Sequence, residues 1–116
     1  KLSEDPITSQ IPTIVFARDP KCDLTEFKLD DLSCYGMFTS VNRTQAMHIF
    51  EGSQSLQGNL DPKILLEDNK VIKESVSKII SDFVDYPGFI FNLGHGITPD
   101  IDPDKVKVLV DAVREN

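Results

Sequence analysis

The chain has 116 residues, 40% of them hydrophobic and 27% charged, with 19 acids against 12 bases for a net charge of −7. That composition fits one globular domain with its own core, and its acidity argues against nucleic acid as a partner. No apolar run approaches the roughly 18–20 residues of a membrane span, and Lys1-Leu2-Ser3-Glu4-Asp5-Pro6 has neither a signal-peptide core nor an Arg-rich transit pattern, so no membrane partner is expected either.

In chain order, Ile11 to Ala17 is a nearly continuous apolar run, the pattern of a strand buried on both faces, and it ends in the polar loop Arg18-Asp19-Pro20-Lys21. Asp23 then precedes Leu24, Phe27 and Leu29, a short stretch with partial helical spacing, before Ser33 to Phe38 offers a second strand. Asn42 is placed to cap a helix through Ala46, Met47, Ile49 and Phe50, which Glu51-Gly52 stops. Ser55 to Asn59 is a third strand, and Asp61-Pro62 is a helix start with Asp as cap and Pro in the first turn. From Ile64 onward Ile72, Val76, Ile79, Ile80 and Phe83 recur three or four apart and predict one long amphipathic helix, broken by Pro87-Gly88. Phe89 to Leu93 is the fourth strand. Asp102-Pro103 repeats the capped start, and Val106, Leu109, Val110 and Val113 line one face of the last helix.

Four strands alternating with four helical stretches predict an α/β fold of parallel βα units, since parallel neighbours need a crossover and a helix usually supplies it. A closed (β/α)8 barrel takes roughly 250 residues, so four units would be half of one, with sheet edges left to pair. From the residues alone a small doubly wound sheet stays open as well.

Functional groups in such folds collect in the loops leaving the C-terminal ends of strands. The loop after the fourth strand reads Asn92-Leu93-Gly94-His95-Gly96-Ile97-Thr98-Pro99-Asp100. A glycine on each side permits backbone conformations closed to other residues and close approach of a ligand, and imidazole can donate, accept or relay a proton. Two readings remain: His95 is an acid, base or carboxylate contact, or it is an exposed loop residue and Gly94 and Gly96 serve only the turn. In Gln57-Gly58-Asn59-Leu60-Asp61-Pro62 the glycine fits a kink or close backbone approach, while the simpler reading is a capped helix start. Arg18 and Lys21 read as solvated charges or partners of Asp19 and Asp23, and His48 as a surface or half-buried packing residue. Asn42-Arg43-Thr44 matches a glycosylation acceptor that has no occasion for use without secretion. Cys22 and Cys34, lacking CxxC spacing, read as reduced thiols of an intracellular protein. No GxGxxG, P-loop, HExxH or GxSxG occurs, and His95 has no Cys or His at metal-ligand spacing, so no cofactor or metal site is expected in this segment.

Ser55-Leu56-Gln57-Gly58-Asn59-Leu60-Asp61-Pro62 and Asn92-Leu93-Gly94-His95-Gly96 resemble the LQGNLDP and NLGHG segments of uroporphyrinogen decarboxylases. Asp102-Pro103-Asp104-Lys105-Val106 and Leu109-Val110-Asp111-Ala112-Val113 resemble that family's C-terminal helix, and the fit reaches back to Pro12-Thr13-Ile14-Val15-Phe16-Ala17. The resemblance implies that residues 1–116 are the C-terminal half of a (β/α)8 TIM-type barrel, a fragment inactive without the missing N-terminal half. It implies an enzyme that decarboxylates the four acetate arms of uroporphyrinogen to give coproporphyrinogen, usually as a homodimer, with no metal or organic cofactor, in the cytoplasm or a plastid. His95 matches the family's histidine near the C-terminus, with a role in carboxylate contact or proton delivery, and Gly94 and Gly96 would shape its loop against the porphyrinogen substrate. The family's substrate-binding arginines, its pyrrole-gathering aspartate and its tyrosine and serine site residues match nothing here. Many relatives have Asp-Trp where this chain has Phe38-Thr39, within the divergent stretch from Lys21 to Ser53. The competing readings are a cobalamin-linked methyltransferase of the same superfamily, against which the absence of a His-x-Cys motif counts, and an autonomous non-catalytic binding domain.

Overall fold

The computed structural model describes residues 4–18, 21 and 23–116. Cys22 and the Asp19-Pro20 part of the first loop lie outside these residues, as do Lys1 to Ser3. Four strands, β1 (Ile14–Phe16), β2 (Cys34–Gly36), β3 (Ser55–Leu60) and β4 (Phe89–Leu93), form one parallel sheet in the order β1-β2-β3-β4. The helices α1 (Arg43–Phe50), α2 (Asn69–Asp82) and α3 (Pro103–Glu115) follow β2, β3 and β4, and a 3₁₀ turn at Leu24–Phe27 takes the helix's place after β1. The alternation expected from the sequence is therefore present, unit by unit.

Local chemistry explains where each element begins. The Asp23 carboxylate accepts from the Thr25 amide and Asn42 Oδ1 from Gln45, and Asp102 accepts from Asp104 with Pro103 in the first turn. Each pairing satisfies an N–H that the helix itself leaves without a partner. The long helix expected from Asp61-Pro62 is instead two pieces. Asp61 caps a 3₁₀ turn, Pro62–Leu66, after which the chain extends at Glu67 and Asp68 caps α2 afresh by accepting from Val71. A second capping side chain seven residues on gives the backbone a new start, and the apolar period belongs to α2 from Ile72.

The sheet has two unlike faces. Partners in a parallel register project to the same side, so Val15, Tyr35, Leu56 and Phe89 share one face, and Ile14, Cys34 and Ser55 share the other. The first face carries the core. Tyr35, Leu56, Ile72, Val76, Ile79, Phe83, Leu109 and Ala112 are buried in one cluster there, with Phe83 stacked on Phe89 at 4.0 Å and Tyr35 on Phe50 at 5.2 Å. At its lower end Tyr86 Oη accepts from the Gly52 amide and donates to the Gln54 carbonyl, tying the end of α2 to the start of β3. On α3 Leu109 and Ala112 are buried and Val106 and Val113 pack against the core, as expected, while Val110 is exposed and Ala112 takes a place on the inner face that was not expected.

Among the described residues no helix covers the upper part of the second face, although Cys34 near its lower end is buried. Ile14 is 53% exposed, Phe16 51% and Ile90 45%. This corrects the expectation that the first strand is buried on both faces: β1 packs Val15 inward and leaves both neighbours bare. Among the described residues each outer strand, β1 and β4, has one neighbour in the sheet, and its other edge carries no strand.

Candidate functional site

The bare face and the loops at the C-terminal ends of β1 and β4 enclose a cavity of about 870 Å³. Ile14, Phe16 and Gly36 form its apolar floor, Gln57 and Asn92 bring amides from β3 and β4, and Arg18, His95 and Thr98 stand at the strand ends. Arg18 is the one cation among these lining residues. From the sequence it is a solvated charge or a partner of Asp19 or Asp23; it is exposed, and the end of β1 sets it beside the same opening as His95.

His95 is half-buried. Its Nδ1 lies 3.0 Å from the Gly96 carbonyl oxygen, so in the tautomer protonated at Nδ1 the ring donates to that carbonyl and keeps Nε2 for an outside partner. One side of the ring meets Phe38 from the loop after β2, with centroids 5.4 Å apart, and Phe38 in turn lies 6.2 Å from Phe16 on β1. A row of three rings thus runs across the upper ends of β1, β2 and β4. The histidine is packed on one side as well as presented on the other, a contact the sequence reading did not contain.

The glycines act differently from expectation. Neither Gly94 nor Gly96 has a φ in the left-handed region, so neither is there for an unusual backbone conformation. Gly94 is there for space: a Cβ on it would fall 2.6 Å from the Thr39 Cα and backbone nitrogen and would collide with the Thr39 hydroxyl. Its amide donates to the Leu60 carbonyl at 2.8 Å, continuing the β3–β4 pairing past the strand end. Gly96 has nothing within 4 Å of where a Cβ would stand and borders the cavity. Gly58 does take a left-handed φ, +134°, where a Cβ would come 2.8 Å from the Met37 carbonyl oxygen, so close backbone approach governs that position, while Asp61 separately caps the turn that follows.

Behind the site lies a polar cluster absent from the sequence reading. Asn59, 3% exposed, donates both amide hydrogens, to the Phe38 carbonyl at 3.0 Å and the Val41 carbonyl at 2.9 Å. Arg43 Nη1 lies 3.5 Å from Asn59 Oδ1, and the same guanidinium donates from Nε and Nη2 to Asp82 Oδ2 at 3.2 and 3.0 Å. Lys78 Nζ meets the other Asp82 oxygen at 2.9 Å. The Lys78 hydrogen bond is the largest effect on the Asp82 carboxyl; burial opposes it, and the Arg43 hydrogen bond helps to hold the group below its ordinary range. His48 is exposed at the far end of α1, and Cys34 is a buried free thiol whose ionisation burial pushes up, as expected for a structural cysteine. Among the described residues no helix is long and apolar enough to cross a membrane.

The family model described as Uroporphyrinogen decarboxylase (URO-D) matches residues 3–116. The chain belongs to the uroporphyrinogen decarboxylase family. Curated relatives carrying that name agree over the same stretch. The protein of Alcanivorax borkumensis is 37% identical over 106 residues, 91% of this chain and 30% of its own length. That of Vesicomyosocius okutanii is 40% identical over 103 residues, 89% and 30%, and that of Hahella chejuensis 35% over 115 residues, 99% and 32%. The chain thus spans about 30% of the length of the uroporphyrinogen decarboxylases it matches. Family membership fits the resemblance read from the two loop motifs, which lie at the upper ends of adjacent strands, β3 and β4.

Proposed function

We propose that this chain is the C-terminal half of a uroporphyrinogen decarboxylase barrel and contributes His95 to the active site of the full-length enzyme. The observation that carries the reading is the position of the Gly94-His95-Gly96 turn, at the C-terminal end of a parallel strand and on a cavity whose sheet face is bare. In a closed barrel such a face is the interior, and the upper rim is where catalytic groups gather.

The chemistry asked of the site is modest in its parts. Each turnover breaks the bond between an acetate methylene carbon and its carboxylate, releases carbon dioxide, and places a proton on the carbon left behind, giving a methyl group. His95, with Nδ1 held by the Gly96 carbonyl, offers Nε2 either to a substrate carboxylate or to carry that proton. Gly94 lets the turn lie against Thr39, and Gly96 keeps its side of the cavity open to the main chain. Arg18 adds one positive charge toward an octacarboxylate substrate. A segment of net charge −7 needs further cations from the remainder of the protein. On the resemblance, the assembled enzyme is a cytoplasmic or plastid homodimer.

The test is decarboxylation of uroporphyrinogen, followed by chromatography of the product porphyrins, for the 116-residue chain, the full-length protein and full-length His95→Asn. The expected pattern is an inactive segment, an active full-length protein and a weakened variant. A full-length protein that releases no carboxyl groups overturns the reaction, and an unimpaired His95→Asn overturns the site.

A further inference from the structure

We propose that Asn59 is a positioning residue for His95, acting through the loop of residues 38–41. The proposal rests on the decarboxylase reading for its kinetic consequence, but its geometric content stands apart from the reaction. Asn59, next to the last residue of β3, is a buried amide with both donors committed to carbonyls of a loop that follows β2. That loop is the wall against which the β4 turn rests: Phe38 presents its ring to the imidazole, and Thr39 presents its backbone where Gly94 has no side chain. The Val41 amide closes on the Phe38 carbonyl at 3.0 Å, so the two carbonyls that Asn59 holds are the two ends of one turn. The amide of Gly94 is fastened to Leu60, the residue after Asn59. One short piece of β3 therefore fixes both the turn that carries the histidine and the loop that orients its ring.

Physical chemistry favours a strict requirement at this position. A buried amide that donates twice cannot be replaced by an apolar group without leaving the Val41 carbonyl short of a donor. An Asp would turn a carboxylate toward two carbonyl oxygens. A loop shifted by about 1 Å would carry the Phe38 ring with it, and displacement on that scale is enough to lower catalysis up to about 100-fold.

The experiment uses the full-length protein with histidine labelled in the ring, His95 signals being assigned by their loss in His95→Asn. Asn59→Ala and Phe38→Leu are each compared with wild type for kcat and KM and for the His95 ring resonances, and each is then combined with His95→Asn. Expected are displaced His95 signals with unmoved His48 signals, kcat lowered roughly tenfold or more with little change in KM, and no further loss when either substitution is added to His95→Asn. Phe38→Leu leaves Asn59 intact and reads the same linkage should Asn59→Ala fail to fold. Unmoved His95 signals, or an equal loss of activity in the His95→Asn background, overturn the proposal. A wild-type protein without decarboxylase activity overturns the reaction alone, because the resonance displacements still decide whether Asn59 and Phe38 hold the imidazole.

Discussion

Gly94 and Gly96 flank one imidazole and answer to different constraints, and substitution separates them. Gly94→Ala forces a methyl group onto the Thr39 backbone and should cost the full-length protein about 1–3 kcal/mol in denaturant unfolding, with activity falling as His95 is displaced. Gly96→Ala meets nothing, so stability should change by no more than about 0.5 kcal/mol, while KM for the porphyrinogen rises because the methyl group borders the cavity. Asp82 gives a prediction in pH. Its folded-state pKa is depressed below the usual 3.8, so the unfolded chain takes up a proton first as pH falls. The stability it contributes is complete above about pH 4, declines as pH drops toward its folded-state value, and is lost below it. Asp82→Asn should flatten the acid limb of the stability profile, measured by urea unfolding at stepped pH. His95 and the two glycines were legible as a pattern because they are neighbours in the chain. The parts proposed for Asn59, Phe38 and Arg18 were not, because they depend on strand register, which brings the loop after β2, the end of β3 and the loop after β4 together.

At the scale of elements, the caps carry the clearest signal. Asp68 accepts from Val71 at the start of α2, and Asp68→Ala should destabilise the full-length protein by about 0.5–2 kcal/mol, seen as a lower thermal midpoint, with kcat unchanged since Asp68 does not line the cavity. The caps at Asn42, Asp61 and Asp102 could be read from the sequence because one side chain and the next turn suffice to make them. Asp68 carries the same signature, yet the apolar residues Ile64 and Leu65 ahead of it imitate a continuing helix and hide the break. The outward turn of Val110 has another cause. Val110 lies at the margin of the stripe that Val106, Leu109 and Val113 turn inward, and only the surface of α2 opposite decides how wide a stripe is covered. On the strands, the apolar run through Ile14 and Phe16 identified β1 but could not distinguish a face covered by helices from one left bare.

For the molecule as a whole, the exposed Ile14, Phe16 and Ile90 on one sheet face and the outer edges of β1 and β4 argue against self-sufficiency on physical grounds. The isolated 116-residue chain should bind hydrophobic dyes and associate with itself, seen by sedimentation, and the full-length protein should do neither to the same degree. A dye-silent, monomeric segment would remove the argument for a half barrel. The parallel α/β architecture was legible because the alternation of strand and helix needs no tertiary information; closure was not, because curvature leaves no mark on periodicity. One consequence follows from the order β1-β2-β3-β4, in which position along the chain and position in the sheet coincide. Every strand pairing within the segment is made between consecutive strands, so a polypeptide cut outside it would sever none of them. In the proposed closed barrel, two separately expressed pieces would need to rejoin along only two seams. Recovery of activity on mixing them would then be bimolecular, with an initial rate that quadruples when both concentrations are doubled.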